Sequence, residues 1–133
     1  MRHLRAAILT TLKAATPVTS LCASNRIRSF DGKNETMTLY PRILVAQPDE
    51  DKEYEGDSYD VKRCVFQIGC FTKESADAAE ILADAVEDAM FGTRPKSGDG
   101  ITYYFRNTGR VILSNDNEHA VHLTYVSMSS RNS

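Results

Sequence analysis

One stretch constrains this chain more than any other: a strand-forming run that passes almost directly into an amphipathic helix. From Val61 to Phe71 the residues alternate. Cys64, Phe66, Ile68 and Cys70 fall on one face and Arg63, Val65, Gln67 and Phe71 on the other, the pattern of a half-buried strand. Ser75 can then cap a helix, with Asp77 and Glu80 favourable in its first turns. Ala78, Leu82, Ala85, Val86, Ala89 and Met90 give that helix an apolar stripe, and Gly92 suits its C-terminal end.

The flanking sequence adds elements of both kinds. Leu4, Ala7, Ile8, Thr11, Leu12 and Ala15 recur at helical spacing, and Pro17 is expected to stop that first helix. Residues 18–38 read as a loop with a short extended piece at Asn25 to Phe30 and a turn at Asp31-Gly32. A strand is expected to begin at or just after Pro41 and run through Ala46. After the linker 93–100 come three strand-like runs, Ile101 to Arg106, Arg110 to Ser114 and Val121 to Met128. Asn107-Thr108-Gly109 and Asn115-Asp116-Asn117 punctuate them as turns. The order α-β-β-α-β-β-β predicts an α+β fold: a mainly antiparallel β-sheet with two α-helices packed on one face. One domain is expected over 1–128, followed by a frayed polar tail at 129–133.

Composition removes most other classes. With 133 residues, about two-thirds of the unfolded chain's surface can be buried, enough for one core. A hydrophobic fraction of 41% and a net charge of −2 argue against disorder. No run approaches the roughly 18 apolar residues of a membrane span, so no membrane partner is expected. The near-balance of 16 basic and 18 acidic residues leaves no global positive field for nucleic acid. Arg26, Arg28 and Lys33 form only a sparse basic trio. Three cysteines without ligand spacing imply neither a disulfide framework nor zinc, and fit a reducing compartment. Met1 to Leu9 begins like a secretory leader, but Lys13 interrupts it and Leu21 before Cys22 is a poor lipoprotein context. No leader is expected.

Catalytic constellations do not assemble. His119 and His122, three apart on a strand, point to opposite faces and cannot share a metal ion. Cys22, Cys64 and Cys70 read as small core residues rather than nucleophiles paired with His122. Ser97-Gly98-Asp99-Gly100 lacks the lysine and the strand–helix context of a phosphate loop. Asn34-Glu35-Thr36 fits a glycosylation pattern that needs a secretory route. The densest charge is Asp49, Glu50, Asp51, Glu53, Glu55 and Asp57. These six acids lack the register of a calcium loop and are expected at a solvated hairpin tip or loop. No catalytic, metal or cofactor residue is expected.

The ordering of elements carries a resemblance. An N-terminal amphipathic helix leads to Tyr40-Pro41-Arg42-Ile43-Leu44-Val45, and a charged segment precedes the strand Arg63 to Phe71. The Ala-rich helix beginning Ser75-Ala76-Asp77-Ala78 follows, and paired strands close on Val121-His122-Leu123-Thr124-Tyr125-Val126. Over residues 1–128 this resembles the small tail terminator (tail completion) proteins of long-tailed bacteriophages. The family has no catalytic motif, so no residue inherits a role. The resemblance implies a structural virion protein without cofactor: a ring, expected to be a hexamer, capping the tail tube at its head-proximal end. The partners implied are further copies of the chain, the tail tube protein and a head–tail connector or neck protein, with genomic DNA passing through unbound. The implied location is the tail–neck region of the virion, after assembly in the host cytoplasm. On that reading some of Asp49, Glu50, Asp51, Glu53, Glu55 and Asp57 face the lumen or rim and repel passing phosphates. Of three rivals, two make distinct structural demands. Another neck or connector ring protein would share the pattern. A small RNA- or ligand-binding module would expose Tyr103, Tyr104 and Phe105 beside Arg106 and Arg110. A thiol or hydrolytic enzyme would place a cysteine within reach of His122.

Overall fold

The computed structural model describes residues 2–29, 40–49, 62–96, 101–115 and 117–131. Helix α1 (Arg2–Ala14) buries Leu4, Ala7, Ile8 and Leu12, the stripe its spacing predicts. Pro17 does not simply end the helical path. After α1 stops at Ala14, Pro17 occupies the first turn of a one-turn helix, α2 (Thr16–Thr19), where proline's missing N–H costs nothing. Val18 of α2 is fully buried, so part of the expected loop is core. A 3-10 turn at Ser24–Arg26 then delivers β1 (Ile27–Ser29), inside the extended piece anticipated at 25–30.

Strand β2 (Arg42–Asp49) starts directly after Pro41, and β3 (Lys62–Thr72) is the alternating run of the sequence. Ser75 caps α3 (Ala76–Met90): its Oγ accepts from the Ala78 N–H at 3.0 Å. The buried face of α3 is Ala79, Leu82, Ala83, Ala85, Val86 and Met90. Gly92 just beyond it adopts φ +70°, the left-handed geometry that closes a helix end and that β-carbon-bearing residues avoid.

The C-terminal half departs from expectation. Residues Ile101–Ser114 form one strand, β4, rather than two strands joined by a turn. Asn107-Thr108-Gly109 is absorbed as a bulge: Asn107 pairs with Tyr125 and Gly109 with Thr124, leaving Thr108 as the extra residue. The Asn107 side chain accepts from the Gly109 N–H at 3.1 Å, so turn chemistry is spent on the bulge. Strand β5 (His119–Arg131) begins earlier and ends later than expected, and Ser129 in the supposedly frayed tail is buried.

The five strands form one sheet in the order β1-β2-β3-β5-β4. All neighbours are antiparallel except β1 and β2, which run parallel. The fold class is therefore α+β with a mainly antiparallel sheet. Helix α1 lies over β1 and β2, while α3 covers β3, β5 and the near side of β4. Both helices occupy one face, which carries Ile43, Val45, Ile68, Phe66, Val121 and Leu123 into the core. Phe66, the largest fully buried side chain, stacks on Tyr125 at 5.4 Å and meets Phe105 edge-on at 5.7 Å.

Candidate assembly surfaces

Period-two alternation gives the sheet a second face that no described helix covers. Near β2, β3 and β5 that face is closed by its own side chains. Gly69 supplies the space: a β-carbon there would meet the Phe71 ring at 2.7 and 2.9 Å, so the ring lies across the glycine. Laid flat, Phe71 takes the Arg42 guanidinium over its face at 5.0 Å and contacts His122 edge-on at 5.4 Å. Arg42 also sits 4.9 Å from the Tyr40 ring, with Lys73 at the same distance from that ring. The Tyr40 hydroxyl donates to Glu118, which lies 3.5 Å from Arg42. That hydrogen bond to a carboxylate raises the Tyr40 phenol above its ordinary value, because ionisation would set two anions together. This cluster ties the entry of β2 to the start of β5.

The opposite side of the sheet is unlike this. Beyond its first residues β4 has no strand on its outer edge among the described residues; Tyr103 N–H donates to Pro95 O, and Lys96 bridges Thr102. Near its far end stand Val111, Ile112 and Leu113, exposed by 54%, 49% and 54%. Alternation sends Val111 and Leu113 to the open face and Ile112 to the helix face, where cover has run out. Tyr104 and Met128, paired across β4 and β5, add exposed apolar surface to the open face. An edge strand carrying three consecutive large apolar side chains invites pairing with another chain. That run was visible in the sequence within the strand-like stretch Arg110 to Ser114, but its place at an edge depends on the strand order.

Arg110 fastens α3 to this edge. Its guanidinium lies 2.9 Å from Asp84 and 3.4 Å from Glu87 and also donates to the Glu80 carbonyl. Beside it a cleft of about 300 Å³ is lined by Glu87, Asp88, Phe91, Phe105, Asn107 and Tyr125, among others. Phe91 is 88% exposed at its mouth. Burial pushes the Tyr125 phenol up to about 12.

The residues singled out in the sequence fall as follows. Asp49 ends β2; Glu50, Asp51, Glu53, Glu55 and Asp57 lie outside the described residues, as does the Asp31-Gly32 turn. His119 and His122 point to opposite faces, His119 Nδ1 lying 2.9 Å from Ser114 Oγ. The thiols of Cys22, Cys64 and Cys70 are buried on the helix side and form no disulfide. His122 belongs to the other side, so the sheet separates it from all three. Burial, outweighing nearby Arg26, pushes the Cys22 thiol up to about 11, and burial raises Cys70 further. The aromatic platform does not assemble either. Tyr103 and Phe105 turn into the helix side, only Tyr104 shares the open face with Arg106, and Arg110 is committed to Asp84 and Glu87.

With this geometry in place, comparison with known proteins is informative. The family model described as Tail completion protein gp17 matches residues 6–126. A chain in the virion of a native gene transfer agent particle shares the fold with a TM-score of 0.63. The two are 19% identical, over 97% of this chain and 96% of that one. The gp17 protein of bacteriophage SPP1 gives a TM-score of 0.53 at 16% identity, over 92% and 88% of the two chains. No curated protein sequence matches the chain significantly.

Proposed function

The chain belongs to the Tail completion protein gp17 family, and on that premise we propose that it closes the head-proximal end of a tail tube as a ring. Membership makes it a structural component of a virion tail. The ring, its capping of the tube and its joining to the head connector are the reading advanced here. The observation that carries it is the outer edge of β4, where Val111, Ile112 and Leu113 are each about half exposed. A monomer gains nothing from such an edge and risks aggregation by it, whereas an assembling subunit hides it. Ring closure needs heterologous contacts, one patch on a subunit meeting a different patch on the next. A sheet with two dissimilar edges supports that requirement better than a two-fold one.

A ring around a DNA channel should not hold the phosphates. In this reading some of Asp49, Glu50, Asp51, Glu53, Glu55 and Asp57 face the lumen or rim and keep its potential negative. The two ends of the ring then serve unlike partners, the tube protein and the connector or neck protein. Light scattering on purified protein, with negative-stain images of the same sample, tests the reading. It predicts closed rings with a mass near six times the 14.8 kDa of one chain. A stable two-fold dimer that grows no further would contradict it.

A further inference from the structure

The face that no described helix covers carries a second cluster, at the end of the sheet opposite Tyr40, Arg42 and Glu118. Tyr104 and Met128 pair across β4 and β5, exposed by 42% and 43%. Arg106, two residues on from Tyr104, shares its face and is exposed. Arg94 reaches this face from the chain beyond α3, its guanidinium 5.3 Å from the centre of the Tyr104 ring. Lys96 is exposed and pairs with Thr102, which alternation sets on the same face as Tyr104. On the far side of Met128, register places Arg63 of β3. One aromatic and one thioether side chain are thus framed by cations.

The fold itself does not use these charges. Arg42 is spent on Glu118, and Arg110 on Asp84 and Glu87. Arg94, Lys96 and Arg106 have no carboxylate partner among the described residues. The described acids lie elsewhere. Those of α3 belong to the helix layer, on the other face of the sheet. Glu74 and Glu118 stand at its opposite end, beyond the pairing of Thr72 with His119. Asp49 occupies the row of Arg106, but three strands away, about 14 Å. Like charges gathered without a partner repel one another, so an isolated subunit gains nothing by the arrangement.

We propose that this corner, Tyr104 and Met128 framed by Arg94, Lys96 and Arg106, docks an acidic segment of a partner protein that also presents an apolar side chain. Its carboxylates meet the three cations, and its apolar side chain covers Tyr104 and Met128. Tyrosine, methionine and arginine are the residue types that interface cores enrich. The segment lies across the open face rather than extending the sheet, because Pro95 and Lys96 already hold the outer edge of β4 here. Nucleic acid fits the same cations less well. Arg94 covers a face of the Tyr104 ring on which a base would stack, no second exposed ring stands beside it among the described residues, and a net charge of −2 repels a polyanion. The site goes beyond the ring reading and does not depend on it.

Fluorescence anisotropy on the full-length protein tests the assignment, with a short labelled peptide of Asp and Glu around a central Leu as the probe. Wild type should bind it, and more weakly as salt rises. Arg94→Glu with Arg106→Glu should lose at least about tenfold in affinity, because two attractions become repulsions. Tyr104→Ser, or a probe with Ser in place of Leu, should lose about fivefold through the apolar contact alone. Lys13→Glu with Arg5→Glu, the same charge change placed on α1, should bind as wild type does. Circular dichroism with thermal melts confirms that each variant is folded; should the double reversal melt early, Arg106→Glu alone replaces it. No binding of the probe, equal binding by the patch variants, or an equal loss in the α1 control would overturn the proposal. So would a single-stranded DNA oligonucleotide that binds as tightly as the peptide and is lost with the same variants, since the corner would then serve phosphates. Light scattering on the same samples keeps the two readings apart. Patch variants should keep the wild-type mass, and a mass that falls with them would make the corner a contact between copies and overturn the assigned partner. The ring reading stands or falls on the wild-type mass, whatever the peptide does.

Discussion

Replacing Gly69 by alanine pits two effects of opposite sign against each other. Gly69 sits mid-strand, between Leu44 of β2 and His122 of β5. On backbone entropy alone, glycine to alanine there should stabilise the fold by about 0.5–1 kcal/mol. The structure forbids that gain. The new β-carbon would lie 2.7 and 2.9 Å from the Phe71 ring and 3.4 Å from His122 Nδ1, so the ring must swing away. It would leave the Arg42 guanidinium, a contact worth about 0.5–2 kcal/mol for a side chain only 15% exposed. Its edge-on contact with His122 would go too, about 0.5–1.5 kcal/mol. Subtracting the entropic gain leaves Gly69→Ala destabilising by about 1.5 kcal/mol, within a range of roughly 0–3 kcal/mol. Urea unfolding at fixed protein concentration reads this as a lower midpoint with an unchanged slope. In a Phe71→Ala background the obstacle is gone, and the same substitution should raise the midpoint. A Gly69→Ala protein more stable than wild type, or an equal effect in both backgrounds, would refute the argument.

Other perturbations have defined outcomes. Ser75→Ala removes the cap on α3 and should cost about 1 kcal/mol by urea unfolding, with Ser75→Asp restoring most of it. Phe66→Ala empties the centre of the core and should cost about 3–5 kcal/mol, against a smaller loss for Phe66→Leu. The Cys22 thiol, held near 11 against its ordinary 9.0, favours its neutral form in the fold. Its contribution to stability is complete below pH 9 and is lost as the pH rises towards 11, so urea midpoints should fall across that window. Midpoints that stay level or rise there would contradict the burial of this thiol. Alkylation at pH 8 should likewise be slow in the native protein and fast in urea.

The parts of the fold legible in the sequence are those whose signals are local. The alternation of β3, the serine cap of α3 and its glycine ending depend on near neighbours, and the structure places all three as read. Pairing across distance could not be read. Asn107-Thr108-Gly109 carries the chemistry of a turn, yet the long partner β5 holds both halves of β4 in one ladder and turns the triplet into a bulge. The short β1 owes its existence to a parallel alignment with β2, and Ser129 is buried through pairing rather than composition. The exposed apolar edge was hidden for the same reason. Val111-Ile112-Leu113 looks like ordinary core until the strand order shows that β4 has no outer neighbour among the described residues.

The central claim is that this protein terminates a tail tube, and the most direct test is the length of tails assembled with and without it. Electron micrographs of lysates from the intact virus or particle and from a deletion of this gene would be measured for tube length and head attachment. The account predicts tubes of uniform length joined to heads when the protein is present. Without it, tubes should run on past that length and remain unattached, and supplying the protein in trans should restore both properties. Head-joined tails of normal length in the deletion would contradict the account.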